Sequence, residues 1–394
     1  MWKRILCRLC VAALLCSLLL IPVSAADTVE TGKLGDNITY TWNKTTGQAV
    51  ISGSGEMWRF GKDQNLSPFC RSDALQSVTV EAGVTSLGDY LFTQCTNLRE
   101  VTLPNTLRTI SHSVFDRCKA LEEIVLPQSV ELLGELAFSG CERLQSVYFC
   151  GDYPKYLSWY DEMGIEPGTG DWRPFAWSNE SSPIYLYHMA GSRWPEEFWN
   201  EGVTQCIPVL VASDVPANAW YTSDVMQAYR LGLMNGVAEQ RFAPQQPTTR
   251  GMLLTLLHRM AGEPQATHPA PFPDTAGRYY SAAIDWAAEA GLAKGCPDGT
   301  FAPDAPITRE QLAVFLWRYA RYLGDEATVD PASLNFPDAG AVHSYAMPAM
   351  AWAVDSGIIQ GVSTGGDTLR LEPQGSATRA QTAAVLIRFL ALNE

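Results

Sequence analysis

The sequence predicts a multidomain fold, with a β-rich solenoid in the N-terminal half and all-α repeats in the C-terminal half. Three observations predict it. Apolar residues recur every 23 residues between Phe69 and Phe149. A different unit, built on two glycines and an arginine, occurs three times after Asp214. A start of charged, then apolar, then small residues precedes both. The 394 residues leave room for two or three domains.

The start reads as a secretory signal peptide over residues 1–26. Lys3, Arg4 and Arg8 are followed by the apolar run Val11 to Ile21 and the small residues Ser24-Ala25-Ala26. The run is too short to span a bilayer, and no later stretch is apolar enough, so no membrane insertion is expected after cleavage. Bulky Leu15 before Cys16 argues against a lipid anchor. Against 42 acidic residues stand 28 Lys and Arg, a net charge of −14, which argues against nucleic acid as the main partner. Beyond the start, the seven cysteines are odd in number and include no CxxC pair and no zinc-like spacing, so neither a metal nor a cofactor is expected.

The 23-residue step joins Leu75, Leu98, Leu121 and Leu144, and likewise Val78, Val101, Ile124 and Val147. It also joins Phe69, Phe92, Phe115 and Phe138, and Cys95, Cys118 and Cys141. Val101 and Leu103 alternate as in a short strand buried on one face, and Pro104 ends it. One unit cannot bury its own apolar set, so neighbours must stack. The three cysteines are expected to be buried, reduced thiols, although strand spacing alone does not exclude a bridge between coils. These units resemble the bacterial BspA-type leucine-rich repeat, and Asn37 to Met57 is similar to the leader of that family. The expected boundaries are 27–68 for a β-rich leader, 69–150 for the repeats, and 151–212 for a closing cap and linker. The aromatics of the last segment, Trp159, Tyr160, Trp172, Phe175, Trp177, Trp194, Phe198 and Trp199, read as cap residues or as a sugar platform.

In the second repeat Gly232, Gly291 and Gly357 are each followed four residues later by Gly236, Gly295 and Gly361. Arg250, Arg309 and Arg379 follow the first glycines by 18, 18 and 22 residues, the extra length falling in the polar loop 363–368. Thr308-Arg-Glu-Gln311 and Thr378-Arg-Ala-Gln381 read as capping boxes; Thr249-Arg-Gly-Met252 lacks the reciprocal Gln. Asp274 and Asp338 read as further helix caps. The units resemble surface-layer homology (SLH) domains through Phe272-Pro-Asp, Trp286, Phe301-Ala-Pro, Ile307-Thr-Arg-Glu, Phe336-Pro-Asp, Trp352 and Ala377-Thr-Arg. The expected domains are 213–263, 271–324 and 335–391. The resemblance implies a pseudo-threefold SLH triplet that binds a secondary cell-wall polysaccharide, often one bearing pyruvate ketals. The first unit departs from the pattern, with Gln227 in place of the Trp and Gly251 in place of Glu310.

An arginine in the first turn of a helix is disfavoured by the helix dipole. Together with free backbone N–H groups it would make an anion site. The candidate glycan-binding residues are therefore Arg309, Arg379, Arg250, Thr308, Thr378, Trp286 and Trp352. The alternatives are pairing of each arginine with Asp214, Asp274 or Asp338 of a neighbouring unit, and core packing for the two tryptophans. At a helix terminus each arginine is expected to be removable without unfolding. No catalytic residue is assigned. His112, His188, His258, His268 and His343 form no triad or metal spacing, and Asp161, Glu162, Asp171, Glu196 and Glu197 lie in a segment short for an enzyme domain. The reading is a non-enzymatic cell-surface protein, anchored by SLH domains and displaying an adhesin-like repeat surface to a host or matrix macromolecule. Its rivals are a structural envelope component and a wall-bound glycoside hydrolase.

Overall fold

The computed structural model describes residues 28–152, 154–157, 174–176, 178, 183–190, 206–216, 219–325, 334–363 and 369–392. The secretory start lies outside the described residues, as do Trp159, Tyr160, Trp172, Trp177, Trp194, Phe198 and Trp199 and the carboxylates Asp161, Glu162, Asp171, Glu196 and Glu197. By contacts the chain forms two compact units. One holds the described residues up to Met226 together with Gly236–Phe242, and the other holds Gln227–Asn235 with the described residues from Ala243 onward.

The first unit opens with three antiparallel strands, β1 (Val29–Lys33), β2 (Ile38–Asn43) and β3 (Gln48–Gly53). In β2, Ile38, Tyr40 and Trp42 are buried while Thr39 and Thr41 are exposed, the alternation of a half-buried strand. Then β3 pairs in parallel with β4 (Ser77–Val80), so the leader sheet runs directly into the repeats.

Each repeat contributes two short strands. One series is β4, β6 (Glu100–Thr102), β8 (Glu123–Leu126) and β10 (Ser146–Phe149); the other is β5 (Ser86–Leu87), β7 (Thr109–Ile110), β9 (Leu132–Gly134) and β11 (Lys155–Leu157). Pairing is parallel and in register with the sequence step: Val78 faces Val101, Ile124 faces Val147, and Ile110 faces Leu133. Beneath the strands Phe69, Phe92, Phe115 and Phe138 form a buried stack with ring centroids 5.4, 5.5 and 5.2 Å apart. Tyr40 and Trp42 of the leader lie against its first ring at 5.0 and 5.5 Å. Burying each such ring contributes about 1.5–3 kcal/mol.

Cys95, Cys118 and Cys141 are fully buried, and each thiol donates to the carbonyl of Phe69, Phe92 or Phe115 in the preceding coil, at 3.0–3.2 Å. Burial pushes the Cys95 thiol up to about 12 and raises the other two as well. Cys95, Cys118 and Cys141 are free thiols.

The ladder does not stop where the period fails. Phe175 stacks on Phe138 at 5.3 Å, and the Phe138 N–H donates to Pro174 O as the Phe115 N–H does to Ala137 O. Phe175 lies 37 residues after Phe138, so 14 residues have been inserted into a 23-residue step. The strand β10 pairs onward with β12 (Ile184–Ala190), and β12 with β13 (Cys206–Pro216). Among the described residues of segment 151–212, Phe175, β12 and β13 therefore continue the ladder, and β13 runs through Ser213 and Asp214, where a linker was expected.

In the C-terminal region a short helix precedes a longer one three times: α1 (Thr222–Arg230) and α2 (Arg250–Met260), α3 (Ser281–Glu289) and α4 (Arg309–Tyr322), α5 (Met347–Asp355) and α6 (Arg379–Ala391). Gly232, Gly291 and Gly357 follow the short helices at φ of 67, 75 and 69°, the left-handed turn that ends a helix. The region is not wholly helical. The longer loop of the third unit starts and ends in a small hairpin, β14 (Val362–Ser363) with β15 (Leu369–Arg370). Nor do Asp274 and Asp338 cap helices. Asp274 accepts from the N–H groups of Phe301 and Ala302, and Asp338 from those of Leu371 and Glu372, closing each unit on itself.

Candidate functional site: the helix starts of the triplet

The segments before the three long helices pair with one another. Thr249 bridges Pro306, Thr308 bridges Ser376, and Pro247 bridges Thr378, so each unit meets both others. Thr249, Thr308 and Thr378 are the N-caps, accepting from the third helical N–H, and Gln311 and Gln381 complete their boxes.

The first two N–H groups of each helix are occupied. Arg250 and Gly251 donate to Ala305 O and Pro303 O, Arg309 and Glu310 to Gly375 O and Pro373 O, and Arg379 and Ala380 to Gln246 O and Pro244 O. The free N–H groups that an anion pocket needs are thus bound by carbonyls of the neighbouring unit, a geometry no single-unit reading anticipates.

The three arginines are buried, with 9, 5 and 7% exposure for Arg250, Arg309 and Arg379. Arg309 Nε donates to Leu371 O at 2.6 Å, and its terminal NH2 to Gln360 O at 3.1 Å. Arg379 reaches Asn235 O at 2.8 Å. Arg250 Nε donates to Phe301 O at 2.9 Å, with its guanidinium 4.5 Å from the Phe301 ring centre. Burial lowers the basicity of Arg250 and Arg309, with Glu372 and Asp338 opposing it at Arg309. The hydrogen-bond partners of Arg250 and Arg309 are backbone carbonyls of the next unit rather than the carboxylates named above, and Arg379 likewise meets the Asn235 carbonyl of unit one. These arginines tie unit one to two, two to three, and three to one.

A second set of arginines escaped the sequence reading. Arg259, Arg318 and Arg388 lie nine residues after the first set and donate to Leu233 O, Leu292 O and Ile358 O, at the short-helix end of their own unit. Their common offset was the signal available.

Trp286 and Trp352 are 4 and 6% exposed. Trp286 packs against His258, Tyr319 and Tyr322, and Trp352 against Phe389. Both fill the space between helices.

The junctions between units differ. At the first, a Cβ on residue 251 would lie 2.8 Å from Tyr280 Cδ1, so glycine is required by the tyrosine. Tyr280 Oη in turn donates to Asp304 at 3.2 Å. At the second junction Glu310 occupies the equivalent place and Ala346 replaces the tyrosine. Glu310 is 2% exposed and accepts from the His343 N–H, His343 Nδ1, Tyr345 Oη and Gln374 Nε2. Burial, then Glu310, push the Tyr345 phenol up to about 12, so it remains a donor. Among the described residues no group of metal-ligating side chains assembles.

Stacked parallel coils and, separately, three interlocked helical units define a modular repeat protein of two unrelated repeat types. Residues 65–157 match the BspA type leucine rich repeat region, in six copies, and residues 213–251, 271–313 and 335–383 match the S-layer homology domain. The chain carries a BspA-type leucine-rich repeat region followed by three SLH domains. Among similar proteins, an endoglucanase of Bacillus sp. (strain KSM-635) is 28% identical over 48% of this chain and 19% of its own length. A cell surface protein of Thermoanaerobacter kivui is 28% identical over 45% of this chain and 21% of its own length. A cellulosome-anchoring protein of Acetivibrio thermocellus is 27% identical over 38% of this chain and 33% of its own length. The chain thus spans a third or less of these relatives. Among solved structures, a leucine rich repeat protein of T. pallidum is 20% identical, covering 42% of this chain and 72% of that one, with a TM-score of 0.24.

Proposed function

We propose that this is a non-enzymatic protein of the cell surface, held non-covalently on a secondary cell-wall polysaccharide by its SLH triplet. The leucine-rich repeat region forms an outward solenoid that offers an adhesin-like surface to a further macromolecule. The observation that carries the reading is the run of three SLH matches after the repeats. The enzyme-named relatives share only a minor part of their length with this chain, so their activities do not transfer to it. In this reading the three units close as a pseudo-threefold ring with glycan grooves at the junctions. Arg250, Arg309 and Arg379 act on the glycan by fixing the shape of those grooves, Thr308 and Thr378 by fixing the helix starts, and Trp286 and Trp352 by setting the helix spacing.

Co-sedimentation of the full chain with wall polysaccharide tests the anchor. Binding that persists after removal of residues 27–210 and disappears with residues 214–394 is the expected result. Binding that follows the leucine-rich repeats instead would overturn it.

A further inference from the structure

The tie that joins unit three to unit one ends on a chemically labile pair of residues. Arg379 donates to Asn235 O at 2.8 Å, and Asn235 is followed by Gly236, the one Asn-Gly pair of the sequence. Arg309 uses the equivalent carbonyl of the third unit, Gln360 O, at 3.1 Å. The glycine is fixed by its turn, because a Cβ on residue 236 would lie 2.6 Å from Arg241 O and 2.7 Å from Ala238 O. The residue before it is not fixed: Lys294 and Gln360 stand there in the other two units. Lysine has no side-chain carbonyl. Glutamine would have to close a six-membered imide, which forms far more slowly than the five-membered imide of asparagine. Unit one alone carries the reactive combination.

Three features leave the pair open to that closure. Asn235 and Gly236 are both exposed. Among the described residues neither the Asn235 side-chain amide nor the Gly236 N–H makes a hydrogen bond. Without a Cβ, Gly236 lets its own nitrogen approach Asn235 Cγ closely. The second unit supplies a comparison in Asp298-Gly299, the one Asp-Gly pair of the sequence. There Oδ1 of Asp298 accepts from the Thr300 N–H at 3.0 Å and from Thr300 Oγ1 at 2.7 Å. Those hydrogen bonds hold its carboxyl below the usual range, and an ionised carboxylate is a poor electrophile. The Gly299 N–H is also occupied, by Cys296 O at 3.0 Å.

We propose that Asn235-Gly236 is a self-modification site at which asparagine becomes isoaspartate, with Arg379 directing the product. Hydroxide takes the Gly236 amide proton, and the nitrogen attacks Asn235 Cγ. The bond from Cγ to Gly236 N forms, the bond from Cγ to the side-chain nitrogen breaks, and ammonia leaves. Water then adds to the main-chain carbonyl carbon of the succinimide. The oxygen that turns anionic in this step is the one that accepts from Arg379 in the unmodified chain, so the guanidinium favours attack there over attack at Cγ. The bond from that carbon to Gly236 N breaks. A free carboxylate is left beside Arg379, and the main chain now runs through Cγ. In balance one water enters, one ammonia leaves, and the residue gains a negative charge. The tie between units three and one changes from a hydrogen bond on a neutral carbonyl to an ion pair. The inference is independent of what the triplet binds.

The test is incubation of the full chain at 37 °C and pH 8.5, with peptide mapping by electron-transfer fragmentation, which separates isoaspartate from aspartate. Residue 235 is expected to convert at least about tenfold faster than any other asparagine, and Asp298 to remain unchanged. The ratio of isoaspartate to aspartate at residue 235 should be at least about twofold higher in the folded chain than in the same chain in guanidinium chloride. In folded Arg379→Lys it should fall toward the denatured value; if that variant does not fold, the comparison with the denatured wild type decides. Asn235→Gln, which keeps the main-chain carbonyl, should show no age-dependent change in anion-exchange retention. An Asn235 that stays intact, or that converts no faster than the other asparagines, overturns the site. A product ratio equal in folded and denatured chains overturns the part assigned to Arg379.

Discussion

In the leucine-rich repeats a residue meets its own equivalent, whereas in the SLH triplet it meets a different one. Phe92 stacks between Phe69 and Phe115, and the thiol of Cys118 donates to a carbonyl placed as the partner of Cys95 is placed. Such contacts survive only if every copy keeps the same spacing. Around the triplet, Arg309 meets Leu371 O and Gln360 O, neither of which is its counterpart. A ring of this kind needs three ends to fit, not three equal lengths, so the third unit carries four extra residues without losing its arginine contact. Translation demands a strict period, and cyclic closure demands matched junctions.

Replacing one tie of the ring should produce the largest change. Arg309→Ala removes two charge-assisted hydrogen bonds and leaves buried Leu371 O short of a donor, a loss of about 3–5 kcal/mol. Urea unfolding followed by helical circular dichroism measures it. This reverses the expectation that an arginine at a helix start is dispensable. Arg309→Ala unfolding within about 1 kcal/mol of wild type would mean the units hold together without their arginines.

The matched junctions predict a smaller, coupled effect. Gly251→Glu drives a side chain into the Tyr280 ring and should cost about 1–3 kcal/mol. Adding Tyr280→Ala copies the Glu310 and Ala346 pair of the second junction and should restore part of the loss. A double variant no better than the sum of its singles would show that the two junctions are not built on this exchange.

The difference between the regions also explains what was legible in the sequence. The ladder could be read residue by residue, down to Phe69 and Cys118, because each contact repeats along the chain. Its continuation through Phe175 was hidden by the 14-residue insertion. In the triplet the caps at Thr308 and Thr378 were local and therefore readable. The carbonyls that fill the helix starts belong to other units more than 50 residues away, as with Arg250 and Phe301, and no local pattern announces them. The donors to Glu310 also come from another unit, at residues 343, 345 and 374, 33 to 64 residues away.

The thiol row gives the ladder an alkaline signature. Burial holds the Cys118 thiol well above its ordinary value. Its contribution is fully present below the unfolded thiol value of ~8.5 and is lost as pH rises beyond it, at about 1.4 kcal/mol per pH unit. Cys118→Ala leaves a small cavity and should be less stable than wild type at pH 7. Its deficit should shrink as pH rises from 8.5 to 10. A deficit that stays constant across that window would mean the folded thiol ionises as easily as the unfolded one.

The smallest effect tests tolerance of length directly. The third unit already differs from the second by four residues in loop 363–368. Four more glycine and serine residues between Gly365 and Gly366 lengthen a connection whose ends are joined by the pairing of Val362 with Arg370. Loop closure grows slowly with length, so the cost should be below about 0.6 kcal/mol. The same four residues placed between Gln128 and Ser129 meet a different constraint. Ser129 Oγ donates to Leu107 O, and the Val130 N–H to Pro127 O, within a five-residue link between β8 and β9. Both bonds are lost or must re-form around a bulge, with a loss of about 1–3 kcal/mol. Unfolding midpoints of the two insertion variants settle the comparison. Equal losses would show that the ladder absorbs length as freely as the ring, and that its strict period reflects something other than the fit of one coil on the next.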